Sequence, residues 1–216
     1  MFDLETIIMF GTASILLALA PGPDNIFVLT QSIVHGRKAG IIITVGLCTG
    51  LLFHTAIVAL GIAAIFQTSL IAFNTLKFIG AAYLLYLAWK AFTSEESIEQ
   101  NKETAELKPV QLYRTGIIMN VTNPKVSIFF LAFLPQFTNV NSGSITIQII
   151  MLGFIFIICA FFVFSIISQI SGAIGKQLYK SDKISRVLNK VAGTVFAALA
   201  LKLIFTQRWV PSMKYL

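Results

Sequence analysis

The sequence predicts an all-α membrane protein in which six transmembrane helices form two inverted three-helix halves, with the first and fourth helices broken. Three observations support this prediction. Of the 216 residues, 56% are hydrophobic and only 12% are charged, whereas a soluble domain has about 25% charged residues. The apolar residues fall into six long segments. Two of these segments are interrupted by prolines at corresponding positions.

Each apolar segment is long enough to cross a bilayer, which takes about 20 mostly apolar residues. The six segments are 4–34, 40–66, 69–92, 114–138, 145–172 and 186–206. The chain starts with the acidic stretch Met1-Phe2-Asp3-Leu4-Glu5, whereas a cleaved signal peptide starts with a basic region. We therefore expect the first segment to be retained as a helix.

A polar stretch, TSEESIEQNKETAELKP at 93–109, separates the third segment from the fourth and contains five Glu and two Lys. Charges of this kind are costly in lipid, so the stretch is predicted to be a solvated linker. We therefore divide the chain into a first three-helix half at 1–92, a polar cytoplasmic linker at 93–112 and a second three-helix half at 113–216. Because each half has an odd number of spans, related halves would have opposite orientations.

Basic residues are concentrated in alternate loops. The first loop has two, the linker and its flanks have four and the fifth loop has five, whereas the other side has four in total. Because cytoplasmic loops carry the excess of Lys and Arg, both termini are predicted to lie outside. The charges stand at the ends of apolar runs, so the net charge of +7 indicates a lipid bilayer as the partner and no nucleic acid.

The two interrupted segments contain APGPDNIFVL at 20–29 and VTNPKVSIFF at 121–130. Proline lacks an N–H and clashes with the carbonyl one turn earlier, so each break frees backbone groups that lipid cannot satisfy. Both breaks should therefore line a cavity. Interrupted segments at corresponding positions of two halves are typical of transporter binding sites.

Aligning Pro23 with Pro124 places Asp24 opposite Lys125. A charge at the bilayer centre costs about 2.5–3.5 kcal/mol even on the lenient insertion scale, so both residues need compensation. Either they neutralise each other, or each binds the opposite charge of a zwitterionic ligand. The alternatives are that Asp24 caps a helix beginning at Asn25 and that the Lys125 side chain extends to the membrane surface.

Further polar side chains near the breaks can contact a carboxylate or an amine. They are Asn25, Gln31, Asn120, Thr122 and Asn123. His54 lies mid-way along the second segment, either as a hydrogen-bonded packing residue or as a participant in proton movement, since imidazole titrates near neutral pH. No P-loop, GxGxxG, HExxH or CxxC motif occurs. We therefore expect no enzyme activity, no cofactor and no resident metal, and any transport would run on gradients.

Gly46 and Gly50, in GLCTG at 46–50, form a pair of small residues four positions apart. Such pairs let two helices approach closely. This pair predicts either internal packing or the interface of a homodimer.

Four stretches resemble the signature of the lysine exporter (LysE/RhtB) translocators. They are ALAPGPDNIFVL, GLCTGLLFHTAIVALGIAAIF, KFIGAAYLLYLAWKAF and YRTGIIMNVTNPKVSIFFLAFLPQF. The resemblance covers nearly the whole chain apart from the linker and the last ten residues. It implies a proton-driven, multi-pass exporter of amino acids or their derivatives in the bacterial cytoplasmic (inner) membrane. It also implies that Pro21-Gly22-Pro23-Asp24 and Asn123-Pro124-Lys125 form the transport site.

We therefore expect a transporter that exports a small amino acid in exchange for protons, with Asp24 and His54 as the proton-coupling residues. Two other functions stay open. Some members of the family that the chain resembles export metal cations. Cys48 and Cys159, one in each half, would suit a membrane thiol oxidoreductase, although they stand at different distances from the prolines of their own halves.

A cysteine at position 97 tests the predicted orientation. In a background lacking Cys48 and Cys159, we expect Ser97→Cys to resist a membrane-impermeant thiol reagent in intact cells, because the linker faces the cytoplasm. The same cysteine should react once the membrane is permeabilised. Labelling in intact cells would show that the linker faces outside and would contradict the predicted orientation.

Overall fold

The computed structural model describes residues 2–68, 70–93, 108–178 and 182–205, which contain helices and no strand. The all-α prediction is therefore confirmed for these residues. The α-helices are α1 (Leu4–Leu19), α2 (Pro23–His35), α3 (Arg37–Thr68), α4 (Leu70–Thr93), α5 (Pro109–Val121), α6 (Pro124–Ile128), α7 (Ile145–Leu178) and α8 (Asp182–Phe205). They overlap the six predicted apolar segments, and α1–α2 and α5–α6 are the two broken ones. α5 begins at Pro109, inside the predicted linker 93–112, because a proline is tolerated at the first position of a helix. Most of the predicted linker lies outside the described residues.

Two of the described helices are long and apolar enough to cross a membrane by themselves, α3 over Arg37–Gly61 and α7 over Ile145–Ser171. The count rises to four if each broken pair forms one span. The chain bends by 59° between α1 and α2. It bends by 49° between α5 and the helical stretch Pro124–Phe137. Six crossings and an inverted arrangement stay predictions.

The first break follows from Pro21 and Pro23. The last regular bond at the end of α1 runs from the Ala20 N–H to the Leu16 carbonyl, and Pro21 cannot donate the next one. Pro23 restarts the helix at its first position, where a missing N–H costs nothing. The N-cap of α2 is Gly22. Asp24 is therefore the second residue of α2, and the alternative that it caps a helix beginning at Asn25 is wrong.

The second break is built differently. The Asn123 side chain caps α6 by accepting a hydrogen bond from the Lys125 N–H at 3.0 Å. α6 ends at Ile128, widens into a π-helical turn over Phe129–Phe133 and then tightens into a 3₁₀ turn over Leu134–Phe137. By contrast, α2, which follows the first break, is α-helical over its whole length. Such π-helical turns are frequent at functional sites.

Aromatic rings fix the irregular stretch after α6 within the core. Phe129 and Phe133 stack with ring centroids 4.8 Å apart, and Phe129 contacts Phe156 of α7 at 5.2 Å. Phe137 packs edge-on against Phe10 of α1 at 5.1 Å. The chain after the second break is therefore fixed to both α1 and α7.

Glycines bring α3 and α5 into backbone contact. A Cβ at Gly116 of α5 would lie 2.6 Å from the Ile43 carbonyl oxygen, and one at Gly46 of α3 would clash with the Tyr113 carbonyl oxygen. A Cβ at Gly50 would lie 2.7 Å from Cβ of Asn120. The predicted pair Gly46 and Gly50 therefore serves internal packing.

A single methyl group at Gly46 should destabilise the protein. We expect Gly46→Ala to lower the free energy of unfolding by about 1–3 kcal/mol through overpacking, although Ala favours a helix over Gly by about 1 kcal/mol. Gly61, in the same helix, is the matched control, because a Cβ there meets nothing within 4 Å. Thermal unfolding in detergent, followed by circular dichroism, should separate the variants. Equal melting temperatures would contradict the close α3–α5 contact.

Candidate functional site

The two breaks meet through Lys125. Its Nζ donates hydrogen bonds to the carbonyl oxygens of Ala20 at 3.0 Å and Leu17 at 3.4 Å. In an uninterrupted helix the Leu17 carbonyl would accept from residue 21, which is a proline without an N–H. The lysine supplies the donor that Pro21 lacks. Only 6% of Lys125 is exposed, so the alternative that its side chain extends to the membrane surface is wrong.

Asn25 completes the end of α1. Its Nδ2 donates to the Ala18 carbonyl at 2.6 Å. Helix C-termini leave carbonyls without intrahelical partners, and here residues of α2 and α6 supply the donors. The negative end of the α1 dipole also favours the ammonium group of Lys125.

Asp24 is 1% exposed, and only one of its oxygens has a partner. Its Oδ2 accepts a hydrogen bond from Asn120 Nδ2 at 3.3 Å, whereas its Oδ1 has none. Asp24 lies in the first turn of α2, where the helix dipole favours a negative charge. Asp24 and Lys125 form no direct ion pair, because the Lys125 ammonium group bonds the end of α1 instead. The predicted mutual neutralisation is therefore not a direct contact, and each charge lies at the helix end that favours it.

Asn120 connects Asp24 to His54. While its side chain donates to Asp24, its backbone carbonyl accepts a hydrogen bond from His54 Nε2 at 3.1 Å. The His54 ring also lies 5.6 Å from the Phe130 ring, centroid to centroid. His54 thus reaches the carboxylate through one residue and is a hydrogen-bonded packing residue as well.

Unpartnered polar atoms concentrate at the breaks. Five buried side-chain N or O atoms of the described residues have no hydrogen-bond partner. Four of them belong to Asp24, Asn25, Asn120 and Asn123, and the fifth is Ser165 Oγ. Because buried polar groups are nearly always bonded, this concentration marks the breaks as the place where a ligand would find partners.

The remaining predicted residues shape the backbone. A Cβ at Gly22 would lie 3.0 Å from Lys125 Nζ, so this position leaves room for the ammonium group. Pro21 and Gly22 are half-buried, whereas Pro23 and Pro124 are exposed. Their role in the described geometry is to end and restart the helices.

Two of the polar side chains singled out in the sequence lie elsewhere. Gln31 Oε1 accepts from His35 Nδ1 at 2.9 Å, one turn further along α2. Thr122 is exposed and donates to the Ile118 carbonyl in its own helix.

Sequence reasoning missed three contributors to the site. The carbonyls of Leu17, Ala18 and Ala20 are all acceptors there. For Leu17 the signal was available, because Pro21 follows it by four residues, which is the spacing of a helical hydrogen bond. Gly50, which the sequence identified only as a helix-packing residue, lies against the Asn120 side chain.

The residues of the two rival functions are placed as follows. Cys48 is buried, Cys159 is partly buried, and both are free thiols. The Cys48 thiol faces the Ile157 carbonyl at 3.9 Å. In the part of the chain that the structure describes, no group of three or more His, Cys, Asp or Glu could hold a metal ion.

Comparisons with known proteins agree on one family. The model of the LysE type translocator family matches residues 15–207. The chain is 30% identical over 208 residues to the uncharacterized membrane protein YrhP of Bacillus subtilis, covering 92% of this chain and 98% of that protein. It is 32% identical over 183 residues to the homoserine/homoserine lactone efflux protein of Salmonella typhimurium, covering 85% and 88% of the two chains.

A third relative is the leucine efflux protein of Klebsiella pneumoniae, which is 24% identical over 203 residues, with 94% of this chain and 96% of that protein covered. No solved structure shows a significant match. The apolar helices and the bacterial relatives identify a bacterial membrane protein. The family model covers most of the sequence, and the chain therefore belongs to the LysE type translocator family.

Proposed function

We propose that the protein exports a small amino acid or amino acid derivative across the bacterial inner membrane in exchange for protons. Two relatives are named as efflux proteins for homoserine, homoserine lactone or leucine. The observation that carries the proposal is Asp24, a carboxylate that is 1% exposed and has one oxygen without a partner beside a helix break. A carboxylate there can alternately hold a proton or a cationic group of the substrate.

We further propose six spans in two inverted halves joined by the linker. Helix packing supports this arrangement. If the halves are related, α1 corresponds to α5 and α3 corresponds to α7. The observed contact of α3 with α5 then corresponds to the observed contact of α7 with α1. The helices that would be equivalent, α3 with α7 and α4 with α8, also pack against each other. The alternating distribution of basic residues supports both termini outside.

In the proposed cycle, Asp24 carries the proton. Export against a gradient requires a group that is loaded with a proton on the outer side and unloaded on the inner side. Asn120 holds one oxygen of Asp24, which leaves the other free for a proton or substrate. His54 is bonded to the Asn120 carbonyl, and we propose that it takes part in this proton coupling. Lys125, Asn123 and the proline breaks hold the binding geometry.

Replacing Asp24 by Asn should separate a proton carrier from a structural residue. We expect Asp24→Asn to lose proton-driven export, because an amide keeps the size and polarity but binds no proton near neutral pH. The measurement has two stages. First, the amino acid content of the medium is compared between strains that overexpress the wild type and the variant. Second, uptake of the labelled form of the enriched compound is measured in everted vesicles with an acidic lumen.

Asp3→Asn is the matched control. Asp3 caps α1 by accepting a hydrogen bond from the Thr6 N–H at 2.7 Å, and Asn is an equally good cap, so export should be unchanged. Full flux in Asp24→Asn would remove the coupling role. If overexpression of the wild-type protein left the amino acid content of the medium unchanged, this result would argue against amino acid export.

Replacing both cysteines should leave export intact. We expect the double variant Cys48→Ala, Cys159→Ala to transport at the wild-type rate in the same vesicles, because neither thiol touches the breaks. Loss of activity in the double variant would favour the oxidoreductase instead.

A further inference from the structure

We propose that Gly50 of α3 is a positioning residue for proton coupling. Because this position has no side chain, Asn120 of α5 lies close against α3 and holds its amide against Asp24. The space at Gly50 thereby sets the pH range in which Asp24 exchanges its proton. This inference rests on the proposed function for the role of Asp24, and it assigns a part in that role to a residue without any functional group.

Asn120 fills the space where a side chain of residue 50 would stand. A Cβ at Gly50 would lie 2.7 Å from Asn120 Cβ, 2.8 Å from its Oδ1 and 3.1 Å from its Cγ. Carbon atoms in contact ordinarily stay about 3.5 Å or more apart, so Asn120 leaves no room for a methyl group. These three nearest atoms all belong to the Asn120 side chain. Gly50 therefore contacts the part of α5 that reaches Asp24.

The contact with Gly50 and the bond to Asp24 are made by the two arms of one rigid group. Asn120 Nδ2 donates to Asp24 Oδ2 at 3.3 Å, because an ionised carboxylate can only accept. Asn120 Oδ1 has no hydrogen-bond partner and lies on the side of Gly50. Since the amide is planar, a group that pushes Oδ1 and Cγ away from α3 also displaces Nδ2. A bond that is already 3.3 Å long tolerates little displacement.

The same face of α3 also holds the backbone of Asn120. His54 follows Gly50 by one helical turn, and its Nε2 donates to the Asn120 carbonyl at 3.1 Å. Asn120 is thus in contact with α3 through its backbone and its side chain, and only 1% of it is exposed. A larger residue at position 50 would have to displace this side chain or separate the two helices.

The contact bears on proton exchange because a hydrogen bond to an ionised carboxyl group favours the ionised form. Its loss should let Asp24 keep its proton to higher pH. The titratable groups that interact electrostatically with Asp24 are His54 of α3 and Lys125 of α6, and Gly50→Ala changes neither. α5 presents the neutral Asn120. The sequence of α7, which also packs against α2, is uncharged up to Lys176 near its end.

Infrared difference spectroscopy of the purified protein follows the protonation of Asp24 directly. In spectra recorded over a range of pH, the carboxyl signal that Asp24→Asn removes belongs to this residue. We expect Gly50→Ala to raise the midpoint of this signal by about one pH unit. Asn120→Ala, which deletes the amide, should raise it in the same way. Combining the two changes should add nothing further, because both act through one hydrogen bond.

Gly46→Ala is the matched control. It adds the same methyl group to the same helix, but against the Tyr113 carbonyl oxygen instead of the Asn120 side chain. We expect it to lower the melting temperature and to leave the midpoint of Asp24 unchanged. The pH profile of export in everted vesicles should shift with the midpoint in Gly50→Ala and stay unshifted in Gly46→Ala.

Several results would overturn the inference. They are the absence of a carboxyl signal that Asp24→Asn removes, an unshifted midpoint in Gly50→Ala or in Asn120→Ala, an equal shift in Gly46→Ala, and additive shifts in the double variant. Asn120→Ala keeps the test valid even if Gly50→Ala does not fold, because it adds no atom to the helix contact. Failure of the proposed function is distinguishable. If the midpoint shifts in Gly50→Ala and the pH profile of export does not, antiport through Asp24 is wrong and the positioning role of Gly50 stands.

Discussion

The carbonyl group of Leu17 sets the constraint on which the site depends. Pro21 deprives it of its helical donor, and the fold supplies a lysine from the other half of the chain instead. An unsatisfied carbonyl in a dry environment costs several kcal/mol, and the hydrogen bond from Lys125 avoids this cost at the first break. That requirement in turn places α6, whose first turn carries the lysine and whose cap is Asn123.

Two buried charges are accommodated here without touching each other. Removing an ion pair from water is expensive, and the attraction repays it only when the geometry is excellent. The protein instead uses the ends of two helices. The Lys125 ammonium group lies at the carbonyl end of α1 and Asp24 lies at the N–H end of α2. The break between Ala20 and Pro23 creates both ends, so a single interruption stabilises both signs of charge. Lys125 is therefore stabilised by the carbonyl end of α1 and does not depend on a direct contact with Asp24.

The sequence was sufficient to predict which segments are helical and where two of them break, because apolar length and proline act locally. The ends were less well predicted: α5 begins at Pro109, inside the predicted linker, and α7 continues to Leu178, six residues beyond the predicted end. It also identified the residues that meet at the breaks, since charged and amide side chains stand out in an apolar chain. The bonding between them could not be predicted. Whether Lys125 meets Asp24 or the end of α1 depends on how α6 packs against α1, which no local pattern encodes. The change from α to π to 3₁₀ geometry over Phe129–Phe137 likewise follows from packing of phenyl rings.

The long separation in sequence between the two breaks has a consequence for biogenesis. Leu17 and Lys125 lie 108 residues apart, and ribosomes add about 5–20 residues per second. The nascent first half therefore waits on the order of 5–20 s in the membrane with carbonyls at the end of α1 that only the second half can satisfy. The face of α3 at Gly46 and Gly50, which packs against α5, also has no partner until α5 is synthesised. The chain up to the linker is thus an incomplete folding unit, and the end of α1 is fully hydrogen-bonded only after α6 has been synthesised.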